Sequence, residues 1–393
     1  MLKDTTAIVG IGQTAFAKSL APTETELAVT AILAALEDAG IDAAEVDGLV
    51  EYSLETTDEV SLARNLGAGE VTFFGAVGYG GGAGPGVVGH AALAVAAGQC
   101  DVAVAWRSRK RGAAASRPWA QAGLGRAGAS ASGGGGLPRS PDWYRPWGLL
   151  RPVDQVAMTA RRYMHDYGAT RDHFANVALA ARSHANRNPF AVMHGRPLTR
   201  EDYMSARWIS EPLCLFDNCL ETDGALAVVI TSAARARDCR QPPVYVHATA
   251  QGFDRQHQVM SNYHTADPLR GPSWACARRL WAQADMGPAE VDVAQIYDAF
   301  TPMVVMSLEA YGFCGRGEGA AFTEGGALEW PHGRLPTNTS GGGLSEAYVH
   351  GFNLVVEGVR QMRGTSTAQV EGASTCLVTA GEGVPTSALL LRR

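Results

Sequence analysis

The 393-residue chain is poor in charge: Asp, Glu, Lys and Arg make up 18% of it, against about 25% in ordinary soluble domains. Its 33 basic and 39 acidic residues leave a formal net charge of -6, so the broad basic surface of a general nucleic-acid binder is missing. It has no uninterrupted apolar run of the roughly 18 residues that a membrane-spanning helix needs. The opening MLKDTTAIVG lacks the basic stretch and apolar run of a secretory signal, and the ending LLLRR is not a peroxisomal address. The seven cysteines, at 100, 214, 219, 239, 276, 314 and 376, are odd in number and lack the close paired spacing of zinc sites or dense disulfide frameworks. The expectation is a cytoplasmic protein with no metal ligands of its own, no nucleic-acid partner and no membrane segment.

What the chain does have is apolar substance and glycine. Hydrophobic residues reach 46%, and 46 positions are Gly. At roughly 100 to 200 residues per domain, the length allows two sizeable halves, each with a core. Thr6 to Gly12 is short, apolar and closed by Gly, as a buried strand is. Thr23 followed by Glu26 forms a capping box; Val29, Ile32, Leu33 and Leu36 then fall on one helical face, and Gly40 ends the run. Val46 to Tyr52 and Asp101 to Trp106 read as further strands, the second reached through a helical stretch from Gly84 to Gly98. The order is alternating α/β.

A short internal repeat adds a duplication. Ala44-Glu45-Val46-Asp47, after one helix and entering a strand, returns as Ala289-Glu290-Val291-Asp292 after the helical run Ser273 to Ala284. The second copy begins near Val244, giving halves of 1–240 and 241–393. Within the first, about 112–150 is an insertion rich in Ala, Gly, Ser, Pro and Arg, with Gly133 to Gly136 in one run followed by Trp143, Tyr144 and Trp147. A loop this long with aromatics is expected to pack over a site or a partner. Helices are expected over Asp154 to Tyr167 and Asp172 to Asn188, and a strand over Leu226 to Ile230.

The strings AIVGIGQTAF at 7–16, ARRYMHDYGATRDHFANVA at 160–178, TDGALAVVITSAARAR at 222–237, VAQIYDAFTP at 293–302, TNTSGGGLSEAYVHG at 337–351 and TAGEGVPTS at 379–387 resemble the lipid-transfer branch of the thiolase superfamily over nearly the whole chain. The resemblance implies a thiolase-like duplicated αβαβα five-layered sandwich. Thiolases act on acyl-CoA thioesters with a Cys at the start of a buried helix, where thiolate is favoured. Here the matching stretch is Val77 to Pro85 and the Cys position is Gly81. Cys100 falls at the wrong end of the helix, and Cys376 lies out of register with the C-terminal Cys motif. Where the branch carries a His-Asp-Cys-Phe stretch, this chain reads Tyr297-Asp298-Ala299-Phe300, and Tyr348 stands near the His of the family's Gly-His-Pro motif.

Loss of the nucleophile together with two phenols at former histidine positions resembles the steroid side-chain-cleaving aldolases of this branch. The implied activity is a retro-aldol cleavage of a steroid side-chain β-hydroxyacyl-CoA to a ketosteroid and a short acyl-CoA such as propionyl-CoA, without a covalent intermediate. The catalytic candidates are Tyr297 and Tyr348, which divide the proton transfers in an order the sequence leaves open, with His350 second to them. Asp298 orients Tyr297 or caps the next helix, capping being favoured. Gly342, Gly343, Gly381 and Gly383 are candidates for offering backbone N–H groups to the thioester oxygen, or serve tight turns. No permanently bound cofactor is implied, CoA entering as part of the substrate. The run Arg107-Ser108-Arg109-Lys110-Arg111 meets CoA phosphates or an acidic partner, or forms a solvated edge. The branch also implies a small partner with an OB fold and a zinc ribbon, and a homodimer core within a heterotetramer. A non-catalytic acyl-CoA- or lipid-binding subunit remains the alternative, and an acyltransferase a weaker one.

Overall fold

The computed structural model describes residues 3–110, 145–260, 262 and 265–393. The insertion expected to carry Trp143 and Tyr144 lies largely outside them; Trp147, at its described end, is 80% exposed.

The described sheet has nine strands: β1 (Thr6–Gln13), β2 (Gly48–Tyr52), β3 (Phe73–Val77), β4 (Val102–Arg109), β7 (Gly224–Ser232), β8 (Val244–Gly252), β9 (Val293–Gln295), β10 (Thr375–Thr379) and β11 (Thr386–Arg392). A small hairpin supplies β5 (Trp208–Ser210) and β6 (Leu213–Cys214). The spatial order is β3-β2-β4-β7-β1-β8-β11-β10-β9. Outward from the β1–β8 seam both sides run first strand, antiparallel last strand, antiparallel next-to-last strand, then a parallel second strand, with β3 added at the outer edge of the first half. At the seam only Ala7 and Ile8 pair, with Tyr245 and Val244.

The four-residue repeat marks equivalent places in this plan. Each copy closes a single-turn helix, Ala43–Glu45 or Pro288–Glu290, just before the second strand of its half. Asp47 then accepts the N–H groups of Asp101 and Val102 at 2.8 to 3.0 Å, and Asp292 those of Ser374 and Thr375 at 2.8 and 3.0 Å. In both halves one carboxylate therefore fastens the start of the next-to-last strand, β4 or β10, to the second strand.

Helix α1 (Glu24–Ala39) has the expected Thr23–Glu26 capping box and ends at Gly40 in a left-handed conformation. Its buried face keeps Ile32 and Leu36 of the expected one but is turned away from Leu33. Leu33 is 45% exposed, while Leu27, Ala28, Ala31, Ile32, Ala35 and Leu36 face the sheet. The cause lies on β1: a Cβ at Gly10 or Gly12 would meet the Ala35 or Ala31 carbonyl oxygen at 2.0 Å, so helix and strand touch backbone to backbone through Ala and Gly. Helix α2 (Glu59–Leu66) packs beside it. Helix α3 (Gly84–Ala96) and the helix Phe352–Arg363 touch strands of both half-sheets, whereas α1 and the helix Ser273–Ala284 cover the outer faces. Five layers, helix, sheet, helix, sheet, helix, result. No helix among the described residues is long and apolar enough to cross a membrane.

Candidate active site

The two central helices start close together. An added Cβ at Gly84, the first residue of α3, would lie 3.4 Å from the His350 carbonyl oxygen and 3.6 Å from the carbonyl carbon of Gly351, which caps the helix Phe352–Arg363. Their N-terminal ends, each carrying partial positive charge, thus converge on one place.

Tyr297 fills that place. It follows β9, its N–H donates to Thr379 Oγ1 at 3.2 Å, and it is 4% exposed. Its ring is admitted by three glycines. A Cβ at Gly81 would lie 2.1 Å from the Tyr297 hydroxyl, one at Gly351 2.6 Å from Cδ2, and one at Gly381 3.1 Å from Cε1. The phenol therefore occupies the space into which a side chain at position 81 would grow.

The half-buried Tyr348 meets it. The two hydroxyl oxygens are 2.5 Å apart, with ring centroids 6.1 Å apart. Tyr348 is set from the other side by Thr222, whose Oγ1 accepts the Tyr348 N–H at 2.9 Å. Burial, above all, holds the Tyr297 phenol well above its ordinary pKa, and the nearby Tyr348, Cys219 and Tyr52 add to this. Tyr297 is thus kept as a neutral phenol.

The polar loop leading to Tyr348 is held from below. Asn338 Oδ1 accepts the Ile296 N–H at 2.7 Å and its Nδ2 donates to the Ile296 carbonyl at 2.8 Å, joining the loop to the chain entering Tyr297. Asp298 accepts the N–H groups of Gly343 at 2.7 Å and Leu344 at 3.2 Å, so it caps the short helix Gly342–Ser345 and not the helix Thr301–Ala310 that follows it in sequence. Burial pushes its carboxyl up to about 6, against the lowering effect of those amides. Glu346 accepts from Ser340 Oγ, Asn353 Nδ2 and Asn188 Nδ2 at 2.6, 2.8 and 3.2 Å, and burial pushes it up to about 7.

These bonds correct part of the glycine expectation. The Gly343 N–H is committed to Asp298, and the Gly381 N–H donates to the Gly81 carbonyl at 2.9 Å, so neither is aimed at a thioester oxygen. Gly342 has φ +59, and a Cβ there would meet Asp298 Oδ2 at 2.2 Å; close approach is its reason for being glycine. Gly383 lies beside Met260 and Met303, its carbonyl accepting the Met260 N–H at 2.5 Å.

The basic run is also rearranged. Arg107 is fully buried and pairs with Glu55 at 2.7 Å, and Lys110 donates to the carbonyls of Leu20, Ala21 and Pro22. Arg107 and Lys110 are thus spent on internal contacts instead of a solvated edge or phosphate site; Arg111 lies outside the described residues. Cys100 is wedged between β2 and β4 with burial pushing its thiol up to about 12, and Cys376 is buried in β10 with its thiol held well above the ordinary value. Neither is an activated nucleophile.

His350, with φ +51, stands beside the tyrosines: its ring meets that of Tyr348 edge to face at 5.4 Å, and its Nδ1 accepts from Arg107. The structure places the three sequence candidates Tyr297, Tyr348 and His350 side by side, and adds Cys219 and the Arg107–Glu55 pair, which sequence reasoning missed. A charged residue continuing the apolar run Val102 to Trp106 was the available signal for the latter.

Residues 255–391 match a family model described as thiolase C-terminal domain-like. The chain is 48% identical over 392 residues to the 17-hydroxy-3-oxo-4-pregnene-20-carboxyl-CoA lyase of Mycobacterium tuberculosis, covering 100% of both. It is 45% identical to the steroid side-chain-cleaving aldolase of Thermomonospora curvata, over 100% of this chain and 98% of that one. Among solved structures it is similar to the Ltp2-ChsH2(DUF35) aldolase, with a TM-score of 0.92 and 43% identity across 100% of this chain and 98% of that chain.

Proposed function

Since the chain belongs to the steroid side-chain-cleaving aldolases of the thiolase superfamily, we propose that it is a carbon–carbon lyase that splits a steroid side-chain β-hydroxyacyl-CoA into a ketosteroid and a short acyl-CoA, propionyl-CoA being the expected product. The observation that carries the mechanism is the 2.5 Å contact between the Tyr297 and Tyr348 hydroxyls at the position of the missing side chain of residue 81.

Burial opposes a phenolate at Tyr297. A relay through both hydroxyls needs none to persist. The substrate's tertiary hydroxyl gives its proton to the Tyr348 oxygen, Tyr348 passes its own to Tyr297, and Tyr297 delivers its proton to the α carbon. As the ketone forms, the electrons of the breaking carbon–carbon bond move into the thioester enolate and then into the new carbon–hydrogen bond. Both phenols finish as they began, so no Cys is required. The positive ends of α3 and the helix Phe352–Arg363 favour the transient negative charge.

The partner we propose is a DUF35 protein with an OB fold and a zinc ribbon, carried beside a homodimer of this chain in a heterotetramer. The outer strand β3 suits the homodimer: it pairs only with β2 among the described strands, and its Phe74 is 68% exposed.

Product analysis tests the reading. Tertiary β-hydroxyacyl-CoA thioesters of steroid side chains, given to the chain purified with its partner, should yield ketosteroid and acyl-CoA in equal amounts. A complex that binds the thioester and returns it unchanged would make this chain a binding subunit instead.

A further inference from the structure

Arg107 is a fully buried charge beside the site. It lies in β4 with no exposed side-chain surface, a place guanidinium groups take only when paired. Its Nη1 meets Glu55 Oε1 at 2.7 Å, and Glu55 also accepts the Ser108 N–H at 2.8 Å and the Ser108 hydroxyl at 2.5 Å. The remaining face of the guanidinium turns to His350: Nε and Nη2 lie 3.2 and 3.0 Å from Nδ1.

Building on the tyrosine-pocket reading above, we propose that Arg107 is a positioning residue for the cleavage, fixing His350 as a neutral imidazole that carries its proton on Nε2 and serves only as a hydrogen-bond donor. Arginine has donors and no acceptor, and it stays charged. Two of its N–H groups aimed at Nδ1 require a lone pair there. A proton on Nδ1 would set donor against donor, and an imidazolium would add like-charge repulsion in a buried space.

The other groups around the ring agree with this. Tyr52 stacks on His350 with centroids 6.3 Å apart, lies 5.0 Å under the Arg107 guanidinium, and donates its hydroxyl to the His350 carbonyl at 3.2 Å. Tyr348 presents its ring at 5.4 Å. The carboxylates that face this cluster, Glu55 directly and Glu24 at longer range, act on Arg107. Of these neighbours, the Arg107 cation is the one that bears on the charge of His350, and it disfavours protonation.

Two consequences follow for the reaction. His350 cannot take the substrate hydroxyl proton, which leaves that transfer to the tyrosines. It can donate to the enolate oxygen, a duty that the committed N–H groups of Gly343 and Gly381 do not perform.

The test uses the complex with its partner. Arg107→Lys keeps a positive charge for Glu55 and removes the fork to Nδ1. It should lower kcat about tenfold or more with KM within about twofold, and add an ionisation to the kcat profile near the ordinary histidine value of about 6.5. In a His350→Gln background the same substitution should have no further effect. Unchanged kcat in folded Arg107→Lys, or an equal loss in both backgrounds, overturns the proposal. Should the lysine variant not fold, the wild-type complex decides: with 15N-labelled histidine, the signal lost in His350→Gln must report the neutral Nε2–H tautomer from about pH 6 to 8. An Nδ1–H tautomer or an imidazolium there overturns it. This readout does not depend on turnover, so an active Tyr297→Phe variant would sink the tyrosine reading, while the nitrogen spectrum alone decides the tautomer.

Discussion

The Tyr297 hydroxyl stands 2.1 Å from where a Cβ on Gly81 would be, closer than any two non-bonded heavy atoms can sit. The two positions compete for one volume. A side chain at 81 and a phenol at 297 exclude each other, so Gly at 81 and Tyr at 297 are one coupled choice and not two separate ones. Tyr348 then completes the pair at hydrogen-bond distance.

Removing either hydroxyl should break the relay. Tyr297→Phe and Tyr348→Phe are each expected to lose cleavage by about a hundredfold or more, and the double variant should be little worse than either single one, because both atoms serve one transfer. Acyl-CoA release under saturating substrate measures this, with circular dichroism checking the fold.

Restoring a side chain at 81 should also abolish cleavage. Gly81→Ala drives a methyl into the Tyr297 hydroxyl, and the Tyr297 carbon bearing it is only 2.6 Å from the same point. The ring must move, separating it from Tyr348. We expect loss of about a hundredfold in kcat, and Gly81→Cys should be equally inactive in cleavage. Near-normal turnover in Gly81→Ala would show that the ring has room to spare.

Asp298 is expected to matter through the loop it caps. Asp298→Ala leaves the buried N–H groups of Gly343 and Leu344 without their acceptor. The cost should be about 2 kcal/mol of stability, with a lower kcat because Tyr348 lies at the end of that loop. Urea unfolding and steady-state kinetics read the two effects separately.

Glu382 gives a pH dependence opposite to that of a paired surface carboxylate. Burial pushes it up to about 7 from 4.5, despite the N–H of Ser273 at 3.2 Å. Between those values the folded chain holds a proton that the unfolded chain has released. Its contribution is therefore complete below about 4.5 and falls as pH rises toward 7, by on the order of 3 kcal/mol. Glu382→Gln removes the ionisation, so it should melt higher than wild type at about pH 8 and match it at about pH 5. Equal melting curves at both would refute the assignment.

The sequence made much of this legible, by two routes. Periodicity and caps located α1, the strands entering the sheet and the Asp47/Asp292 duplication, because these depend on neighbours in the chain. Resemblance pointed to Tyr297 and Tyr348, whose hydroxyls the structure brings into contact. What stayed hidden was set by contacts between distant segments: Leu33 pointing outward, because Gly10 and Gly12 let the alanine face of α1 approach instead, and Asp298 serving a helix more than forty residues ahead. Arg107 looked like the start of a surface basic run since its partners, Glu55 and His350, come from elsewhere in the chain.

The meeting of the two central helix ends has a consequence for how the catalyst comes into being. Gly81 arrives with the first half of the chain, while Tyr297, Tyr348 and His350 all belong to the second, so a nascent chain carrying only the earlier sheet holds an empty socket. If the paired phenols are the catalyst, cleavage is expected only once the later strands have closed against it, which would make turnover a direct report that both halves have docked in register.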